Sequence, residues 1–161
     1  MRELKELDYP PVWTAMAVLV AWQLGRLWPW GFLGVVGSFL GLALAIFGAI
    51  LMVFASGQMF LARTTVIPHK TPTTIVRSGL YAVTRNPIYL GDLLIFAGAL
   101  VYFGALWALP LLVPFVWIIE TRFILSEEAR LRAAFPAEFD AWSQRTQRWI
   151  NWLPFGNGLR R

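Results

Sequence analysis

The chain has 161 residues, of which 58% are hydrophobic and 14% charged, with a formal charge of +5. Soluble domains carry roughly 25% charged residues, and a water-soluble fold of this length has no room to bury so much apolar surface, so lipid is the expected solvent. There is no cysteine and a single histidine, His69. This excludes disulfides, thiolate metal centres and a cysteine nucleophile, and no metal or nucleic-acid partner is expected.

In chain order, the segment from Met1 to Asp8 sets three acids beside Arg2 and Lys5. That is a poor match to a cleavable leader, so the first apolar segment is expected to be a retained membrane helix. It runs over about 12–28, with Pro10 and Pro11 at its start, where proline is tolerated, and Trp28 and Trp30 as interface anchors beyond it. The second span, 33–61, lies in a charge-free stretch from Gly31 to Ala62. As one helix that stretch would be about 48 Å long at 1.5 Å per residue, more than a hydrocarbon core of about 30 Å, so it must tilt or project. Gly37, Gly41, Ala45 and Ala49 place small side chains on one face of it, which predicts close packing with a neighbour.

The connector 63–86 is broken by Pro68, Pro72 and Gly79 and holds four basic residues and no acid. Its charge alone fits a headgroup-facing loop. From Ile88 to Ile119 the only charge is Asp92. Gly104 and Pro110 divide this stretch into a hairpin of spans, 88–102 and 106–123, with Pro114 as a candidate kink. Asp92 reads either as a functional group in the membrane or as a helix-start acid complementing the dipole. Ser126, Glu127 and Glu128 then look like a helix N-terminus. Leu131, Phe135, Phe139 and Trp142 follow at helical spacing and predict amphipathic helices divided at Pro136.

The fold class expected is an all-α integral membrane protein, one membrane domain over 1–161, with about four transmembrane helices and amphipathic cytosolic helices in 124–161. Segments 1–11, 63–86 and 120–161 carry 13 of the 14 basic residues. Four spans put all three on one side, which the positive-inside rule makes cytosolic, with both termini there. No G-x-G-x-x-G after a strand, P-loop or nucleophile elbow is present. The residues by themselves define a small polar site at the cytosolic end of a four-helix bundle and leave its chemistry open.

The segment from Arg77 to Gly91, RSGLYAVTRNPIYLG, resembles the signature G-x-Y-x-x-x-R-[HN]-P-x-Y-x-G. Glu127-Glu128-Ala-Arg-Leu131, then Phe135-Pro136-Ala-Glu-Phe139 and Arg148-Trp149 follow it. In this order the motifs, spanning roughly 64–153, are similar to the isoprenylcysteine carboxyl methyltransferase and phospholipid methyltransferase superfamily. The lead-in from Pro68 to Val76 resembles its bacterial members, which implies a bacterial inner membrane.

The resemblance implies an S-adenosyl-L-methionine pocket at the cytosolic ends of the last two spans. Thr73, Thr74, Ile75 and Val76 match a segment whose backbone meets the cofactor. Tyr81 matches a cofactor-contacting tyrosine, while Asn86, Pro87, Ile88 and Tyr89 match the central cofactor motif. Glu127 matches the cofactor-binding acid, with Glu128 beside it. Asn86 and Thr73 stand where the eukaryotic carboxyl methyltransferases carry histidine, a departure that bears on prenylcysteine specificity. The rings of Tyr81 and Tyr89 suit an adenine or a sulfonium. Arg85 can pair with Glu127 or Glu128, or face the cofactor carboxylate. The arginine that meets the substrate carboxylate in those enzymes falls at Phe123 here, with Arg122 adjacent.

The expected acceptor is lipophilic or membrane-delivered, among membrane lipids. Carboxyl O-methylation of an isoprenylcysteine-like group is favoured and phospholipid N-methylation is the alternative. Two other classes compete: a sterol-reductase-like enzyme using NADPH, and a non-enzymatic membrane scaffold.

Overall fold

The computed structural model describes residues 9–28, 30, 33–65 and 72–150. His69 and the first part of the lead-in, the first eight residues and those beyond 150 lie outside that set.

Among the described residues every regular element is helical, as the composition predicted. Helix α1 spans Pro10–Leu27, with its two prolines in the first turn. Helix α2 spans Gly34–Leu61, 28 residues or about 42 Å. A short turn of helix, α3, covers Leu80–Val83, and α4 covers Pro87–Tyr102, again opened by proline. A tight 3-10 stretch, Leu106–Leu111, leads into α5 at Leu112–Ile119. The chain then widens into a π turn at Glu120–Ile124 and continues as α6, Leu125–Ala134. Helix α7 is Pro136–Arg145, so Pro136 divides the C-terminal region as the sequence indicated.

Two helices are long and apolar enough to cross a membrane, α2 and the continuous rod from Leu106 to Ala134. In the rod the uncharged apolar run ends at Ile119, and charged residues recur from Glu120 onward. Val35, Phe39, Val53 and Phe54 on α2 and Trp117 on α5 are exposed. Such an apolar outer surface suits hydrocarbon and not water.

Helix α4 is the axis of the bundle. It packs along α2 and against α1, and Tyr89, Leu90, Leu93, Phe96 and Leu100 are all buried. Its approach to α2 is made possible by glycine. A Cβ at Gly48 would sit 2.6 Å from the Gly91 carbonyl oxygen, and one at Gly98 would sit 2.6 Å from that of Gly41.

The seam therefore uses Gly41 and Gly48 of α2 against Gly98 and Gly91 of α4, a seven-residue repeat. Of the four-residue series expected from the sequence, Gly41 and Ala45 do pack against Gly98, while its two ends do not join the seam: the nearest neighbour of a Cβ at Gly37 would be Leu33 of its own chain segment, and Ala49 is exposed. A step of four residues drifts about 40° around a helix of 3.6 residues per turn, while a step of seven drifts only about 20°. Only the second stays on a neighbour for the length of a span.

At one end of the bundle the Trp30 amide donates to the Gly104 carbonyl (2.8 Å) and the Trp107 indole donates to the Trp28 carbonyl (3.0 Å). The turn after α1 and the turn after α4 are thus neighbours. The start of α1, the 63–86 connector and the acids of α6 gather at the other end, around a cavity that all three line.

Candidate active site

The connector is shaped by glycine before it reaches the site. Gly79 adopts φ +59°, ψ −126°, a conformation that only glycine takes readily. This lets the Leu80 amide donate to Gln58 Oε1 on α2 (3.1 Å), so the short α3 turn is pinned to a membrane helix. Tyr81 is consequently buried, and its carbonyl accepts from the Trp142 indole (3.0 Å).

Residues 142–149 then run alongside 81–86 as a strap. The Arg85 amide donates to the Gln147 carbonyl (2.9 Å). The Thr84 hydroxyl and the Asn86 side-chain amide both donate to the Arg148 carbonyl (3.0 and 3.1 Å). Arg85 donates further to the carbonyls of Ser143 and Thr146 (3.2 and 3.1 Å).

Charge holds the same corner. Arg85 meets Glu128 at 2.8 Å, and Arg148 grips Glu128 through two nitrogens, at 2.6 and 3.1 Å. Arg148 also pairs with Glu120, about two turns earlier than Glu128 on the rod. With side chains only 11–19% exposed, this network is shielded from solvent, where paired charges fix geometry far better than at the surface.

Glu127 is placed differently. It accepts a hydrogen bond from the Tyr89 hydroxyl (2.7 Å), and the Tyr89 ring stacks on Phe123 with centroids 6.3 Å apart. Burial pushes the Glu127 carboxyl above its ordinary range, against the pull of the Tyr89 hydrogen bond and Arg130. At Glu128 burial also pushes upward, but Arg148 and Arg85 outweigh it and the carboxyl lies below its ordinary value. Burial raises the Tyr81 phenol as well, assisted by Glu127.

These groups surround a cavity of about 450 Å³, a size within the range of about 300–1,000 Å³ typical of small-molecule sites. Its wall takes Thr74, Ile75 and Val76 from the connector, then Tyr81, Arg85, Asn86, Pro87, Ile88 and Tyr89. Glu127, Glu128, Arg130 and Leu131 complete the side formed by α6. Eleven of the thirteen site residues expected from the sequence thus border one hollow.

Thr73 and Arg122 do not line it. The Thr73 hydroxyl is exposed and donates to the Arg63 carbonyl (2.8 Å), while Arg122 is exposed with its guanidinium over the Trp13 ring at 5.1 Å. Phe123, at the position of the family arginine, is buried beneath Tyr89. The cation on the α6 side of the cavity besides the paired Arg85 is Arg130.

The expectation that Ser126 opens a helix is corrected: the rod is continuous through it, and its hydroxyl donates back to the Phe123 carbonyl (2.9 Å). What presents the two acids is the π turn just before them, a feature that recurs at functional sites.

Asp92 also borders the cavity, and its side chain is fully buried. It lies in the second turn of α4, not the first, which removes the simple dipole reading left open by the sequence. The Thr14 hydroxyl of α1 donates to its Oδ1 (2.7 Å).

The opposite wall was not foreseen: Tyr9, Pro10 and Pro11 at the start of α1, and Met52, Ser56 and Met59 on α2. The α2 set has helical i, i+4, i+7 spacing, and the lone serine among apolar neighbours was its only visible signal.

With this geometry in hand, the comparisons with known proteins carry the assignment to a class. The family described as phospholipid methyltransferase matches residues 36–138, well over half the chain. The chain belongs to this family of membrane methyltransferases. No curated protein and no solved structure matches it.

Proposed function

We propose that the chain is an S-adenosylmethionine-dependent methyltransferase whose lipophilic acceptor approaches within the membrane, and that the cavity is its active site. The observation that carries this reading is the convergence of two separated motifs on one hollow. Tyr89 from the first is hydrogen-bonded to Glu127 from the second, with Arg85 and Glu128 joined beside them.

The donor set fits this cofactor. Its ammonium and ribose hydroxyls need acceptors, which Glu127 supplies. Its carboxylate needs a cation, which Arg130 supplies on the same wall. Its adenine needs apolar and aromatic surface, for which Tyr81, Ile75 and Ile88 are placed. When bound, the cofactor provides an electrophilic methyl group on a cationic sulfur. The protein's own part is then positioning and exclusion of water. The Arg85–Glu128–Arg148 network fixes the wall, and the strap of 142–149 closes the corner. Membrane insertion with both termini cytosolic belongs to the same proposal and is supported by the charge asymmetry of the sequence, in which three segments carry 13 of the 14 basic residues.

The acceptor follows less directly. A carboxylate acceptor requires a cation in the cavity; Arg122 lies outside it, and among the described residues Arg85 is paired with Glu128 and Arg130 is the cation already assigned to the cofactor carboxylate. Glu127 and Asp92 on the wall favour a cationic or amine group, which supports phospholipid N-methylation as strongly as carboxyl O-methylation. Base treatment of product separates them, since a methyl ester releases methanol and an N-methyl group does not.

Calorimetric titration with S-adenosylhomocysteine tests the cofactor site. Binding is expected, and Glu127→Ala is expected to weaken it by about 1.5–3 kcal/mol, the worth of a charged hydrogen bond. Stabilisation by NADPH instead would replace this reading with the reductase class, and stabilisation by neither ligand would leave a scaffold.

A further inference from the structure

Asp92 belongs to none of the motifs that build the site, yet it borders the cavity three residues, nearly one helical turn, below Tyr89 on α4. It has no exposed surface. Thr14 holds one carboxyl oxygen at 2.7 Å, and the other, Oδ2, has no partner among the described residues. Among the described residues, the cations that line the cavity are engaged elsewhere: Arg85 is paired with Glu128, and Arg130 acts on Glu127. An acid this far into a membrane helix, fixed by a hydroxyl and without a counter-ion among the described residues, suits a cationic ligand in the cavity.

We infer that Asp92 is the counter-ion for a positive charge bound at the membrane end of the cavity, and that this charge is the sulfonium of the methyl donor. The inference rests on the cofactor reading given above. A lipophilic acceptor lies on the membrane side, so the sulfur that carries the methyl group must face that way, toward Asp92 and away from the polar corner at Glu128. S-adenosylmethionine and S-adenosylhomocysteine differ by one methyl group and one positive charge. A carboxylate at this depth makes the cavity prefer the charged form over the neutral thioether left after transfer. Thr14 is the positioning residue, since its hydroxyl holds one oxygen and leaves the other available.

The test is the ratio of affinities for the two forms, measured by calorimetry in detergent or nanodiscs without any turnover. The parent protein is expected to bind S-adenosylmethionine, and an analogue with an ammonium in place of the sulfonium, about tenfold more tightly than S-adenosylhomocysteine, the effect of one charged contact. Asp92→Asn is expected to erase that preference by weakening the charged ligands and leaving S-adenosylhomocysteine binding unchanged; Asp92→Thr serves as a second neutral variant should the first fail to fold. A preference retained in either variant, or absent in the parent, overturns the role of Asp92. Failure of the parent to bind any of the three ligands overturns the cofactor reading itself. If the charge served is the acceptor's amine instead, the variants keep the ratio but lose affinity for phosphatidylethanolamine-containing nanodiscs, which also overturns the sulfonium assignment.

Discussion

Two adjacent acids show how finely the site divides labour. Glu127 and Glu128 share a helix turn, yet burial raises the first above its ordinary range, while two arginines overcome burial and lower the second. For Glu128 the sign is clear. A carboxyl depressed in the folded state contributes stability above its unfolded value of 4.5, and that contribution fades as pH falls through the lower folded value. Glu128→Gln is therefore expected to lower stability at neutral pH by about 2–3 kcal/mol, somewhat under the figure for fully buried pairs. The variant should also lose part of the parent's acid sensitivity below about pH 4.5. Thermal unfolding of both proteins across pH measures this, and parallel profiles would deny Glu128 the role. Glu127 carries the opposite sign, since its ionisation opposes folding at neutral pH, as expected of a group held for a ligand and not for stability.

At this scale the sequence was informative where short motifs carry their own geometry. Tyr89 and Asn86 are three residues apart around Pro87 at a helix start, and their common face follows from that. Arg122 and Ser126 were misplaced because a π turn adds a residue to the helical cycle, and nothing in ETRFI announces it. Asp92 was visible as an anomaly, but its partner Thr14 is 78 positions away and no periodicity links them.

At the scale of elements, the glycine seam between α2 and α4 is the feature most open to test. A methyl group at Gly48 or Gly98 would press on backbone, which cannot turn aside, whereas a Cβ at Gly57 meets nothing within 4 Å. Gly48→Ala and Gly98→Ala are each expected to destabilise by about 1–3 kcal/mol through overpacking. Gly57→Ala is expected to be neutral or to stabilise by up to about 1 kcal/mol, the helix-propensity difference. Melting of the three variants in the same detergent decides it. The bounds of α1, α2 and α4 were legible from apolar length and proline punctuation to within a few residues, whereas the helix expected to end at 123 runs on to Ala134. The register of their packing was not, because every face of α2 is apolar and the pattern of small residues admits more than one seam.

At the scale of the whole molecule, topology can be read with chemistry the chain itself provides. Lacking cysteine, it accepts a single introduced thiol as a clean reporter. Arg26→Cys and Arg77→Cys replace exposed residues at opposite ends of the bundle. A membrane-impermeant maleimide applied from one side of oriented vesicles is expected to label one and spare the other, with position 77 on the cytosolic side. Labelling of both from one face would break the four-span arrangement. Charge asymmetry carried this expectation in the sequence, since 13 of 14 basic residues fall in three segments. The full outline of the cavity did not show there, because its walls come from six separate stretches of chain.

The strap has a consequence for biogenesis. Every partner of Thr84, Arg85 and Asn86 in residues 143–148 is translated about sixty residues after them. The bundle's apolar helices can therefore be in place while the ribosome is still working, but the corner of the cavity takes shape only once synthesis has passed Arg148. A nascent chain arrested before that point would have its apolar helices made and the corner of its cavity unformed.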